Sequence, residues 1–209
     1  MIHANYFFNL PIFTAVNFLA HIYLSFEDPQ IMLGNFMADS IRGRDYRHYP
    51  EGMQKGVLLH RAIDTFTDSH PIARQSSKRL HRRYRHYSMV IVDIYYDHFL
   101  AKNWQSYSDI SLEKFTDNFY KLLEQNLKVM PETVQHMAPY MITDNWLLSY
   151  RELDGIHRVL KGLNRRTGLK SGMDQAVEEL EDFYSEFEAE FTSFFDELII
   201  FSRQKIATL

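Results

Sequence analysis

An all-α fold is predicted by three features of this 209-residue chain. Glycine and proline are scarce, 8 and 6 residues, which disfavours turn-rich β architecture. No stretch alternates apolar and polar side chains with the two-residue period of a strand. Residues 173–203 carry a sustained helical period, in which Val177, Leu180, Tyr184, Phe187, Phe191, Phe194 and Leu198 advance in steps of 3 and 4. That spacing predicts a long C-terminal amphipathic helix with an aromatic seam packed on its own domain.

The remaining helices follow in order. NFLAHIYLSF, from Asn17, places Phe18, Ile22 and Phe26 on one face. Pro29 suits the first turn of a second helix, PQIMLGNFMADS. After a loop with Gly43 and Pro50, residues 52–68 set apolar Val57, Leu58, Ile63 and Phe66 around polar His60, Asp64 and Asp68. Pro71 opens the next helix, with Asp68-Ser69 as its predicted cap. Residues 88–104 are apolar on most sides, which predicts a central helix. Helices are expected over 111–129 and 131–149, broken at Pro131, and over 150–163, ending near Gly162.

Composition narrows the function. A chain of this length buries roughly 70% of its unfolded surface and needs no covalent staple. Cysteine is absent, which excludes disulfides, thiolate metal sites, iron–sulfur clusters and cysteine nucleophiles. No apolar run approaches the ~20 residues of a membrane span. Residues 1–15 lack the basic start and the long apolar core of a secretory signal. They are expected to be an N-terminal extension, an arm or a translated leader, ahead of a single domain over 16–209, and the cytoplasm is the expected location.

The net charge of −4 hides a strong asymmetry. Between Ser69 and Val92 there is no acidic residue, while Arg74, Lys78, Arg79, Arg82, Arg83 and Arg85 fall within twelve positions, with His70, His81 and His86 in the same stretch. Residues 171–202 hold ten carboxylates, Asp174 to Glu197, and no Lys or Arg. The two stretches could pair with each other as solvated helix faces. The basic one could instead dock an acidic partner. Only Tyr84 and Tyr87 interleave it, which is thin for stacking nucleic-acid bases.

Polar residues inside apolar helices are the more specific signal. His60 and Asp64 share a helix face, and Asp93 and Asp97 repeat the spacing inside VIVDIYYDHFL, with His98 adjacent. His21 sits in FLAHIYL and Asp39 in GNFMAD. Burying a carboxylate unpaired costs several kcal/mol. Neutralisation could come from Arg42 or Arg61, from helix caps, or from a divalent metal. Taken singly, each residue is explained by structure; taken together, these nitrogen and oxygen donors suit Mn²⁺, Fe²⁺, Mg²⁺ or Zn²⁺ held between facing helices. The chain has no GxSxG, P-loop or GxGxxG motif, so metal-activated water is the chemistry this set best supports.

NFLAHIYLS, GNFMADSIRG, GVLLHRAIDTFTDSHP, DIYYDHFLAKNW and WLLSYRELDGIHRVLKGL together resemble the bacterial acyl carrier protein phosphodiesterase family, from about residue 16 onward. The resemblance implies a compact helical bundle distantly related to the HD-type phosphohydrolases. It implies a metal-dependent phosphodiesterase, with Mn²⁺ the first choice and Mg²⁺ or Fe²⁺ possible, that removes 4′-phosphopantetheine from holo-acyl carrier protein. No adjacent His-Asp pair occurs here; the nearest equivalents are His60 with Asp64 and the reversed Asp97-His98.

On this reading His21, Asp39, His60, Asp64 and Asp97 are the expected metal ligands. Asp68 and Asp93 orient the histidines or serve as further ligands. His98 is the expected proton donor and Arg61 the expected neutraliser of phosphate oxygens. Arg74, Lys78, Arg79, Arg82, Arg83 and Arg85 steer the acidic carrier protein, and neither nucleic acid nor a membrane is expected as partner. The oligomeric state is left open. The alternative is a related metal phosphohydrolase acting on a nucleotide or other small phosphoester; a non-catalytic helical binding module is the reading from a different class.

Overall fold

A computed structural model describes residues 17–209, and the expected extension at 1–15 lies outside the described residues. Among the described residues every regular element is helical. The α-helices are α1 (Phe18–Tyr23), α2 (Pro29–Met37), α3 (Glu51–Ser69), α4 (Pro71–Tyr84), α5 (Ser88–Lys102), α6 (Leu112–Asn126), α7 (Glu132–Thr143), α8 (Trp146–Ser149), α9 (Leu153–Arg166), α10 (Val177–Asp182) and α11 (Tyr184–Ile206). No described helix is long and apolar enough to cross a membrane.

Several boundaries differ from expectation for local reasons. The first helix stops before Phe26, because Phe26 and Glu27 both take positive φ. The cap of α4 is the imidazole of His70, which accepts from the Ile72 N–H, while α3 continues through Asp68 and Ser69. Helix α9 runs on through Gly162 to Arg166. The 131–149 segment breaks at Asn145, in the left-handed region at φ 46°. The C-terminal helix is two helices, divided at Phe183. Its seam nevertheless faces the domain, since Leu180, Phe187, Phe191, Phe194 and Leu198 are all buried.

Helix α5 is central, as its apolar composition requires. Tyr95, Tyr96 and Phe99 meet Phe187, Phe194 and Phe191 of α11 with ring centroids 5.0, 5.3 and 6.0 Å apart. Beside these rings a polar lock joins α4 to α11. Glu190, almost wholly buried, accepts from Gln75, Ser76 and Arg79. Arg83 pairs with Glu178 and Glu179 at 3.1 and 2.6 Å.

Helices α2 and α3 cross at backbone contact. A Cβ on Gly34 would stand 2.1 Å from the Met53 carbonyl oxygen, and one on Gly56 2.3 Å from that of Ile31. This crossing brings the C-terminal end of α2 over the middle of α3, where the candidate site lies. Gly56→Ala is expected to force the helices apart and destabilise the protein by about 1–3 kcal/mol. A Cβ on Gly162 would meet nothing within 4 Å, so Gly162→Ala is expected to be neutral or to stabilise by up to about 1 kcal/mol. Urea midpoints of the two variants check both, and equal midpoints would refute the close crossing.

Candidate metal centre

Asn35, on α2 and fully buried, organises the site. Its side-chain N–H₂ donates to the His21 carbonyl oxygen at 2.7 Å and to Ser25 Oγ at 3.2 Å. A carbonyl oxygen can only accept, so the carboxamide orientation is fixed and Oδ1 must point the other way. There Oδ1 lies 2.8 Å from His21 Nδ1 and 3.1 Å from His60 Nδ1, and the Asn35 backbone carbonyl lies 2.9 Å from the same His60 nitrogen. Facing only acceptors, both Nδ1 atoms carry their protons and donate. Each neutral imidazole therefore presents the lone pair of Nε2, the form that ligates a metal.

The two rings stack with centroids 3.9 Å apart and aim Nε2 at carboxylates. His21 Nε2 is 3.3 Å from Asp64 Oδ1, and His60 Nε2 is 3.3 Å from both Asp39 Oδ1 and Asp64 Oδ2. The His21–Asp64 contact has the distance of an ion pair without the geometry of a hydrogen bond, so His21 Nε2 is a buried nitrogen with no bonding partner. Ligand atoms of His21, His60 and Asp64 all lie within 4.8 Å of one another. Lone pairs of nitrogen and oxygen facing each other at this range repel unless a proton or a cation stands between them. Burial pulls the His60 pKa down, but Asp39 and Asp64 more than reverse this and raise it to about 10. His21 is pushed down by burial and by His60. Burial raises Asp64, but the two imidazoles that face it outweigh this and hold it far below the carboxylate range.

Asp39, His60 and Asp64 of this cluster line a cleft of about 290 Å³. Asp68 and Asp93 line it too, as do Asn17, Thr67 and His86. Burial and the neighbouring Asp64 push the Asp68 pKa up, and burial with four nearby carboxylates pushes Asp93 well up. Among the described residues the lining contains four carboxylates and neither Lys nor Arg. A divalent cation fits this donor set: it would occupy the orphaned His21 nitrogen and relieve the carboxylate crowding.

Of the five expected ligands, His21, Asp39, His60 and Asp64 come together, and Asp97 does not. Its two oxygens accept from the backbone N–H groups of Leu19 and Ala20 at 2.9 and 2.8 Å. It caps the start of α1, which has no cap of its own. Burial raises its pKa to about 8 against the lowering effect of these two donors. His98 is also elsewhere. Nδ1 donates to the Tyr150 carbonyl at 2.8 Å and Nε2 accepts from the Tyr184 hydroxyl at 2.7 Å. Burial lowers its pKa, which suits this neutral, structural histidine. Arg61 turns away from the cleft. It donates to the carbonyls of Gly43 and Ile41 at 2.8 and 3.1 Å and lies over the Tyr46 ring. No proton donor or phosphate clamp is therefore supplied by His98 or Arg61 in this arrangement.

The basic run divides between two jobs. Arg79 and Arg83 face α10 and α11 and are paired internally. Arg74 donates to the Asp68 carbonyl through Nε. The side chains of Lys78, Arg82 and Arg85 are exposed and make no ion pair among the described residues. Asn35 and His86 were not expected at the site. Asn35 had a legible signal, a lone amide in the apolar run LGNFM; His86 read only as part of the charge run.

Asn17 lines the cleft, and its chain neighbour Phe18 lines a second cavity of about 610 Å³ together with Tyr150, Val159, Leu163, Arg158, Lys161 and Arg165.

Comparison with known proteins agrees with the residues. The family model for acyl carrier protein phosphodiesterase matches residues 16–198. A protein of that name from Photorhabdus laumondii is 34% identical over 181 residues, 86% of this chain and 91% of its own length. Another from Pectobacterium atrosepticum is 32% identical over 88% of this chain and 96% of its own, and one from Enterobacter sp. is 28% identical over 91% and 99%. No solved structure matches the chain. The chain belongs to the acyl carrier protein phosphodiesterase family.

Proposed function

We propose that this chain hydrolyses the phosphodiester that joins 4′-phosphopantetheine to a serine of holo-acyl carrier protein, releasing the apo protein. One observation carries the metal-dependent form of this reading. The cleft that would receive an anionic phosphodiester is lined by Asp39, Asp64, Asp68 and Asp93 with no Lys or Arg among its described lining residues. Such a lining repels phosphate unless a cation is bound. His21, His60, Asp39 and Asp64 would hold that cation, with Asp68 and Asp93 in reach as further ligands. When bound it supplies a water of lowered pKa and positive charge toward the phosphoryl oxygens; Mn²⁺ suits this nitrogen and oxygen set.

The chain's own groups supply the rest. Asn35 holds both imidazoles in the Nδ1–H form. The exposed stripe of Lys78, Arg82 and Arg85 on and just beyond α4 complements an acidic carrier protein. The cavity lined by Phe18, Tyr150, Val159 and Leu163 is the place this reading assigns to the pantetheine arm. A carrier-protein substrate also places the reaction in the cytoplasm.

The deciding experiment incubates the protein with holo-acyl carrier protein and Mn²⁺, with a chelator control, and weighs the intact carrier. Metal-dependent loss of the phosphopantetheine mass is expected. An unchanged mass, with Mn²⁺ bound, would overturn the substrate and favour a small phosphoester. Asp64→Ala is expected to abolish turnover while leaving the unfolding free energy measured in urea within about 1 kcal/mol of the parent; a fully active variant would remove Asp64 from the centre.

Asn35→Ala leaves both Nδ1 protons without their side-chain acceptor. It is expected to weaken Mn²⁺ binding by about 10–100-fold, measured by titration calorimetry. Undiminished affinity would show that the tautomer is set elsewhere.

Arg82→Glu is expected to raise KM several-fold with kcat largely kept, and to flatten the salt dependence of kcat/KM. Arg79→Ala should instead act on stability, by about 1–3 kcal/mol, because it strips a donor from buried Glu190. Steady-state kinetics and urea unfolding of both variants separate docking from scaffold.

A further inference from the structure

Hydrolysis at this site expels a serine alkoxide, a poor leaving group that needs a proton. With His98 and Arg61 turned away, the cleft must find its donor among the residues that line it. Both nitrogens of His60 are committed, Nδ1 to Asn35 and Nε2 to Asp39 and Asp64. Apart from the carboxylates, one lining side chain carries a titratable proton and makes no hydrogen bond among the described residues: His86.

His86 lines the same cleft as Asp39, His60 and Asp64. It lies in the single 3₁₀ turn, residues Arg85–Tyr87, that joins the basic helix α4 to α5, which carries Asp93. The carrier protein, docked along Lys78, Arg82 and Arg85, would bring its serine to this turn, with the pantetheine arm running the other way past Asn17 and Phe18. The turn is built under strain. Arg85 takes φ 51° and ψ −121°, a region that favours glycine. The hydroxyl of Ser88, itself buried, donates to the Arg85 carbonyl at 2.7 Å and holds the bend. The Tyr87 ring, its centroid 3.9 Å away, backs the imidazole.

We infer that His86 is the general acid that protonates the departing serine oxygen of the carrier protein. This rests on the carrier-protein reading for the identity of the leaving group. As the bond from phosphorus to the serine oxygen breaks, the imidazolium N–H proton passes to that oxygen and leaves a neutral imidazole. The bond from water oxygen to phosphorus forms on the opposite side, and the water's proton leaves through the carboxylate cluster to solvent. The products are the serine hydroxyl and the phosphomonoester, and His86 regains its proton from bulk water.

The test is dependence on the leaving group. Two small pantetheine phosphodiesters are compared, one expelling an N-acetylserine amide alkoxide and one expelling 4-nitrophenolate, which leaves without a proton. His86→Gln is expected to lower kcat on the serine diester, and on holo-acyl carrier protein, by about 10²–10³-fold. Its rate on the nitrophenyl diester should fall by no more than about threefold. Equal losses on both diesters, no loss on the serine diester, or a rise in KM alone would each overturn the assignment. Failure of the parent protein on the carrier alone, with both small diesters cut, would sink the carrier reading and leave the His86 comparison readable.

Discussion

One buried carboxamide sets the chemistry of the site. Asn35 donates to a carbonyl that cannot reciprocate, and that single constraint propagates outward. It orients Oδ1, places protons on both Nδ1 atoms and leaves both Nε2 lone pairs aimed at Asp39 and Asp64. Nothing in the histidines themselves would choose that tautomer over the other. The apolar surroundings make the choice stable, because an imidazole flipped against Asn35 would leave a buried donor and a buried acceptor unpaired. Two identical tautomers are thus set by a residue that does not itself line the cleft.

The second requirement is delivery. His21 rides on α1, six residues long and too short to stand as a helix on its own. Asp97 anchors its first turn from α5, and the Asn35 and Ser25 side chains hold its last, both bonding to the His21 carbonyl oxygen. His60 and Asp64 ride on α3, held against α2 at the glycine crossing. Helix α5 therefore serves twice within one turn: Asp93 faces the cleft, and Asp97 faces the start of α1. Two carboxylates with nearly the same helical position do different work because different partners cross above them.

That pair shows where sequence reading stops. The spacing of Asp93 and Asp97 puts them within about 40° on the helix, so the pattern cannot separate a cleft residue from a helix cap. The difference lies in α1, more than seventy residues away in the chain. His98 is similar, since its partners are a carbonyl and a hydroxyl in α8–α9 and α11 that no local pattern announces. What was legible followed from short-range rules. The helical class came from scarce glycine and proline with no strand period, the seam of 177–198 from the spacing of its apolar residues, and the set of His21, Asp39, His60 and Asp64 from polar residues placed in apolar helices together with the family resemblance. The breaks at Asn145 and Phe183 were hidden, because a kink that keeps the apolar face in register leaves the period intact.

Charge placement supplies the last step. The basic helix α4 pairs Arg79 and Arg83 with Glu190, Glu178 and Glu179 on one face and leaves Lys78 and Arg82 exposed on another, four residues apart. At physiological salt their field fades within about 8 Å, which confines attraction to a partner lying along α4. The cleft at its end carries the opposite sign. On the reading proposed above, a ligand with an acidic body and a single phosphodiester would be drawn by the stripe and would present its phosphate to a centre that a divalent cation would make positive, whereas a small anion would meet the carboxylates of the cleft first. The two surfaces together would then favour a large acidic substrate over a free phosphoester.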